Sequence, residues 1–209
     1  MIVFRALLFL TLAVSAVRAN VIKTVTLDTS ALGGLPDGPY SLAFELADGS
    51  GTGDGNNAVV LSDFQFGSGN PVGSPLIFGS AFGDLSSTVT LTDADPAGVF
   101  VQGFVSGNTL SFLLSFTANV DPGGTPDEFI FSILDSSFNP IPTSSPSFLS
   151  PFLDIVLDSD NPAIQTFGAD GIPAPTVADA ASVPEPSSAL MMIPLAGLAW
   201  AARRKLRPV

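Results

Sequence analysis

Asp48–Asn57 (DGSGTGDGNN) holds a dense set of oxygen donors. Asp48, Ser50, Thr52, Asp54, Asn56 and Asn57 place side-chain oxygens at nearly alternate positions, with four glycines between them. A hard divalent cation such as calcium takes six to eight oxygens, and glycines let a backbone curl around an ion. This pattern makes the loop a candidate calcium site. It departs from the EF-hand: Ser50 and Thr52 stand where Asp or Asn would, and no Glu closes the loop at the right offset. The competing reading is a solvated hairpin loop made of turn-forming residues.

Three further acidic turns share this chemistry: Asp93 with Asp95, Asp121 with Asp127 and Glu128, and Asp158 with Asp160. A β-sandwich can gather such loops at one end, where two would share an ion. Each alone also reads as an Asx-turn, with Asp capping its own backbone.

Composition removes most catalytic options. The chain has no His and no Cys. Serine–histidine and cysteine–histidine nucleophiles are therefore excluded, as are the usual zinc and copper ligands. Paired carboxylates can hydrolyse glycosides, but 19 acids make a close pair almost inevitable. The body of the chain has one Tyr, Tyr40, and no Trp, so any platform for a sugar ring has to be a Phe. We therefore expect no enzymatic activity.

The acids are unevenly opposed. Of seven Lys and Arg, Arg5 and Arg18 lie in the first 19 residues, and Arg203, Arg204, Lys205 and Arg207 lie in the last seven. Between them Lys23 stands alone against all 19 acids, a formal charge of −18. Phosphate neutralisation needs Lys and Arg, so nucleic acid is excluded as a partner. Such self-repulsion favours solubility and costs stability unless cations screen it.

The elements that must position these groups are strands. Val21–Leu27 (VIKTVTL) is the first candidate. Tyr40–Ala47 alternates: Tyr40, Leu42, Phe44 and Leu46 face one way, Ser41, Ala43 and Glu45 the other, the mark of a half-buried strand. Ala58–Phe66 follows, with Val60 and Phe64 expected inward. Gly67–Pro75 reads as loop, and Leu76–Leu85 is too Gly-interrupted to assign. Ser87–Thr92 alternates again around Val89 and Leu91. Gly98–Val105 and Thr109–Ala118 read as a hairpin across Ser106-Gly107-Asn108, with Leu110, Phe112, Leu114 and Phe116 on one face. Glu128–Leu134 presents Phe129, Phe131 and Ile133. Ser136–Pro151 is Ser/Pro-rich loop, and Phe152–Leu157 is the last strand.

Short strands separated by Gly, Pro, Asn and Asp clusters, with no helix in the body, predict an all-β domain over 20–168. Its expected form is an antiparallel two-sheet β-sandwich, jelly-roll-like. Without Cys it must fold on one apolar core, to which the chain's 17 Phe contribute bulk. Ala169–Ser182, rich in Ala and Pro, reads as a disordered linker.

Both ends read as targeting segments. Met1–Ala19 has Arg5, an apolar run from Ala6 to Val17 and a cleavage-like Val17-Arg18-Ala19, the form of a secretory signal peptide. The C-terminal 183–209 has three parts. Val183-Pro184-Glu185-Pro186 opens a short polar motif to Ser188. An apolar helix candidate covers Ala189–Ala202, and a basic stop (Arg203, Arg204, Lys205, Arg207) follows. Fourteen helical residues span about 21 Å, short of a bilayer core of about 30 Å. The segment is marginal as a permanent anchor and adequate for transient insertion, with its basic end kept cytoplasmic.

In order, spacing and position this tail resembles the PEP-CTERM sorting signal. The resemblance implies processing by an exosortase, an integral-membrane protease of Gram-negative bacteria that make exopolysaccharide. It also implies delivery, after transient inner-membrane insertion, to the cell surface or biofilm matrix. Leu27-Asp28-Thr29-Ser30, the Asp48–Asn57 loop and Gly107–Phe112 (GNTLSF) look like features of small secreted proteins of this class with one β-rich domain. The expected function is a non-catalytic exported surface or matrix protein. The alternatives are a calcium-dependent carbohydrate-binding module, with exopolysaccharide as partner, and an unprocessed tail-anchored surface protein.

Overall fold

A computed structural model describes residues 20–35, 38–120, 125–157 and 162–180. The segments read as signal peptide (1–19), sorting motif (183–188), apolar span (189–202) and basic stop (203–209) lie outside these residues. Among the described residues no helix is long and apolar enough to cross a membrane.

The described chain up to Asp179 forms one compact unit of twelve strands. They are β1 (Val21–Asp28), β2 (Tyr40–Ala47), β3 (Ala58–Gln65), β4 (Asn70–Phe78), β5 (Ala81–Gly83) and β6 (Thr88–Thr92). Then come β7 (Ala97–Val105), β8 (Thr109–Phe116), β9 (Asp127–Leu134), β10 (Leu153–Leu157), β11 (Ala163–Thr166) and β12 (Thr176–Asp179). They build two six-stranded antiparallel sheets, ordered β12-β1-β8-β3-β6-β5 and β11-β10-β9-β2-β7-β4. Within this order β1 pairs β8, β2 pairs β7 and β3 pairs β6, the nested pattern of a long hairpin rolled on itself. The fourth nested pair is missing, because β5 pairs β6 instead of β4.

Alternation builds the core. Leu42, Phe44 and Leu46 from β2, and Phe129, Phe131 and Ile133 from β9, are fully buried, as are Val89 and Leu91 from β6. Phe44 lies 5.7 Å from Phe112 of the opposite sheet and 5.3 Å from Phe131 of its own, at centroid distances where aromatic pairs attract.

Four local expectations need correction. On β3 it is Val59 and Leu61 that are buried, not Val60. A bulge between Ser62 and Gln65, with Asp63 at φ 53°, then shifts the alternation so that Phe64 and Phe66 turn inward. The predicted loop Gly67–Pro75 is largely strand: β4 is an edge strand with its own bulge between Val72 and Leu76. An edge tolerates Pro71 and Pro75, which disguise it in the sequence.

The predicted hairpin of 98–105 with 109–118 does not form. β7 pairs β2 and β4, whereas β8 pairs β1 and β3, so Ser106–Asn108 is an arch between sheets. Thr29 pins it, donating from its backbone N to Asn108 O (3.0 Å) and from Oγ1 to Gly107 O (2.8 Å). The arch suits Gly107, where a Cβ would lie 2.1 Å from the Phe66 carbonyl oxygen. Alternation looks the same along two strands whether the connection stays in one sheet or crosses to the other.

The predicted linker 169–182 is also structured through its first eleven residues. Ala169 and Ile172 exchange backbone hydrogen bonds, Ile172 is buried, and β12 adds to the edge of β1. There Lys23 pairs with Asp179. The Ala/Pro composition hides one large apolar side chain that the core takes in. Ile172→Ala should therefore cost about 2–4 kcal/mol in urea unfolding, whereas a residue of a free stalk would cost nothing.

Candidate functional site

The end of the sandwich bearing the β2–β3 loop gathers acids from three segments. Asp48, just after β2, is buried, and its carboxylate is consumed by its own loop. Oδ1 accepts from Ser50 N (2.7 Å), Ser50 Oγ (2.7 Å) and Gly51 N (3.0 Å), and Oδ2 accepts from Gly53 N. Burial pushes its pKa up, but these four donors outweigh burial and hold it below the ordinary range. Asp54 caps Asn56, accepting from its backbone N (3.1 Å) and Nδ2 (2.9 Å). Ser50 Oγ and Thr52 Oγ1 bond each other at 2.8 Å.

Asp48, Ser50, Thr52, Asp54 and Asn56 are thus engaged in turns and side-chain pairs within the loop. Among the described residues no group of three or more acids is placed to hold a metal ion. The glycines have a packing role instead. A Cβ at Gly49 would sit 2.2 Å from the Pro126 carbonyl oxygen, and one at Gly53 2.7 Å from that of Ala94. They let the loop press onto the two neighbouring turns. Local donors two to five residues away claim oxygens of Asp48 and Asp54, which matches the reading of the loop as a set of self-capped turns.

Asn57 is the hub of this end. Its Nδ2 donates to Asp127 Oδ2 (2.6 Å) and to Asn119 O (2.9 Å). Its Oδ1 accepts from Asn119 N (2.8 Å) and Thr117 Oγ1 (3.0 Å), and its backbone N donates to Asp93 Oδ2 (2.9 Å). Gly49 N donates to Asp127 Oδ1 at 3.0 Å.

Asp93 and Asp127, from two of the acidic turns, are both buried and meet through Asn57. No N–H or hydroxyl donor reaches Asp93 Oδ1, which lies beside the Asp127 carboxyl. Burial foremost, and then the Asp127 carboxyl beside it, push Asp93 up to about 7 against the pull of the Asn57 N–H. Asp95 leaves the group and accepts from Ser80 Oγ at 2.6 Å. Glu128 leaves it too, because it follows Asp127 on a strand and points to the other face. Asp121, Asp158 and Asp160 lie outside the described residues.

A second cluster was missed in the sequence. The outward positions of the first sheet are mostly hydroxyls: Thr24 and Thr26 on β1, Thr88 and Thr90 on β6, Ser111 and Ser115 on β8. Those of the second sheet are apolar, with carboxylates among them. Register puts Val99, Glu45, Ile130 and Asp154 in one row across β7, β2, β9 and β10, and Ala47, Glu128 and Val156 in the next. Burial pushes Glu45, Glu128 and Asp154 above the ordinary carboxyl range; the Asp154 charge adds to the effect on Glu128, as Glu45 does more weakly.

Beside this row a groove of about 200 Å³ runs over Val101 and Ile130, walled by Phe138, Pro140 and Leu149, with Glu45 in its lining. A second hollow of about 260 Å³ continues past Phe138 toward Val72, Ser74 and Leu76 of β4. Phe138, 57% exposed and at φ 62°, stands between the two. A bulky residue rarely takes this conformation. Its turn is capped by Asp135, which accepts from Ser137 N and Asn139 N, each at 2.8 Å. The sequence carried one signal for this face: Glu45 interrupts an otherwise small or apolar outward register on β2.

Searches of this chain against protein-family models, characterised proteins and solved structures found no match in any of the three.

Proposed function

We propose that the chain is a non-catalytic exported protein of a Gram-negative cell surface or exopolysaccharide matrix. Residues 1–19 direct secretion. The tail 183–209 holds the chain briefly in the inner membrane while an exosortase-type protease cuts within 183–188. The three-part order of that tail carries the reading: Val183-Pro184-Glu185-Pro186, an apolar span too short for a stable anchor, and Arg203-Arg204-Lys205 with Arg207.

The body is suited to the exterior. It carries 19 acids against one lysine, has no cysteine to be oxidised, and closes its core with aromatic packing. The nested pairing of β1 with β8, β2 with β7 and β3 with β6 supports reading the frame as a jelly roll with its fifth strand displaced. The buried acids Asp93 and Asp127 are tied through Asn57 into a structural hydrogen-bond network.

Intact mass of the protein recovered from the medium and outer surface of producing cells tests this. The expected product starts near Asn20 and lacks Trp200, the chain's single tryptophan. A product that retains Trp200 and stays with the inner membrane would replace this reading with that of an unprocessed tail anchor.

A further inference from the structure

Among the described residues β4 is the one long strand edge that the sandwich leaves open. The first sheet ends at β12 and β5, the second at β11 and β4. β12, β11 and β5 are three or four residues long, and β12 carries Asp179. Edges that are short or charged offer little template to another strand. β4 runs nine residues, and none of them is buried.

Pro71, Pro75 and the bulge between Val72 and Leu76 guard its first half, but the guard ends at Pro75. Leu76, Ile77 and Phe78 are 47%, 41% and 62% exposed. They pair β7 on one side only, so alternate main-chain donors and acceptors face solvent. Leu76 and Phe78 lie beside Val101 and Val99 on the outer face of the sheet, and Ile77 lies beside the buried Phe100 on the inner one. This end of the strand offers apolar carbon on both faces of an unfilled ladder, the arrangement that takes up a further strand.

Charge says which strand. Residues 64–83 are a run of twenty without one charged side chain, in a body of formal charge −18. Asp95, which comes close to Gly79, accepts from Ser80 Oγ at 2.6 Å. A basic partner is drawn to the acids elsewhere on the body and finds no counter-charge along this edge. A second copy is repelled by like charge, and least where both copies present this neutral stretch. The sequence also complements itself here. Laid antiparallel about Ile77, the strand sets Leu76 against Phe78 of the second copy and Ile77 against Ile77. A twofold contact requires a patch of this self-complementary kind.

We propose that two copies of this chain pair antiparallel through β4 about Ile77, joining their six-stranded second sheets edge to edge. The inference goes beyond the export reading and does not depend on it.

Sedimentation equilibrium of the full-length chain in mild detergent tests it. A concentration-dependent dimer is expected. Raising sodium chloride from about 0.05 M to about 0.5 M should tighten it about threefold or more, because salt screens the repulsion of two acidic bodies and leaves the apolar contact in place. Phe78→Glu should weaken it about tenfold or more. Phe148→Glu, the same change at an 87% exposed Phe outside the strands, should alter it by less than about twofold. Thermal midpoints of the variants show that the fold persists.

Because the chain has no cysteine, one introduced thiol reports the pairing directly. Ile77→Cys would sit at the twofold axis, where paired antiparallel residues have Cα atoms about 4.5–5.5 Å apart, within disulfide range. Mild oxidation should cross-link it, and should leave Asp170→Cys, on an exposed turn, monomeric.

A monomer at every salt concentration, a dimer that Phe78→Glu leaves intact, or a cross-link no stronger at Ile77→Cys than at Asp170→Cys would each overturn the proposal. A dimer that persists in Phe78→Glu would be held by another surface, such as the apolar tail. A chain that stays monomeric yet binds an extended apolar peptide along β4 would overturn it as well, giving the edge a different occupant.

Discussion

Replacing Phe44 by alanine will lower the unfolding free energy by about 3–5 kcal/mol. The ring is fully buried at the centre of the sandwich and contacts five others. Phe100, Phe129 and Phe131 lie in its own sheet, at 6.3, 6.3 and 5.3 Å. Phe64 and Phe112 lie across the interface, at 6.1 and 5.7 Å. Truncation removes the transfer free energy of a whole ring and leaves a cavity between two sheets that must both shift to close it. No disulfide limits the damage, since the chain has no cysteine. Urea unfolding of Phe44→Ala beside Phe138→Ala checks the claim. The exposed Phe138 should change stability by no more than about 0.5 kcal/mol. A loss at position 44 below about 1 kcal/mol would mean that the aromatic cluster is not the keystone of this core.

Stability will also fall as pH rises from about 4 to about 7. Asp93 drives most of this change. Its carboxyl is raised from 3.8 to about 7 in the folded protein, so between those values the native state holds a proton that the unfolded chain has released. Stability tied to that proton is fully present below about pH 4 and is lost as pH climbs through about 7. At about 1.4 kcal/mol per unit, the total is on the order of 4 kcal/mol. Glu45, Glu128 and Asp154 are also raised and add slope of the same sign. Asp48 and Asp84 are lowered, so their contribution is lost when pH falls below their unfolded range. The optimum therefore lies at mildly acidic pH, near 4 to 5.

Asp93→Asn tests the assignment. An amide accepts from Asn57 N as Asp93 Oδ2 does, and it donates toward Asp127 as a protonated carboxyl would. It should flatten most of the slope between pH 5 and pH 8 in denaturant midpoints. A slope unchanged in Asp93→Asn, or a wild-type protein more stable at pH 8 than at pH 5, would sink the assignment.

Much of the frame was legible along the chain. The inward registers of β2, β6 and β8 follow from strict alternation, because a strand buried on one side must repeat every two residues; β9 keeps Phe129, Phe131 and Ile133 inward although Ile130 and Ser132 on its other face are buried as well. Alternation fails where geometry breaks it. The Asp63 bulge on β3 swaps the inward parity, and the proline- and glycine-bearing β4 looks like loop because an edge strand does not need every N–H. Ala169–Asp179 looked like a stalk because nearly all its side chains are small, yet Ile172 reaches the core.

Chemistry divided along the same line. From the sequence alone came the absence of thiol and imidazole chemistry, the −18 body and the expectation of two targeting ends, because these depend on which residues exist and in what order. Where oxygens meet was decided only in three dimensions. Asp48 and Asp54, the strongest metal candidates by spacing, turn to their own backbone, because donors two to five residues away are always within reach. Asp93 and Asp127, 34 positions apart, come together through Asn57. Glu45, Glu128 and Asp154 meet on one sheet face through the pairing of β2, β9 and β10. Strand register, which couples residues far apart in the chain, created both clusters.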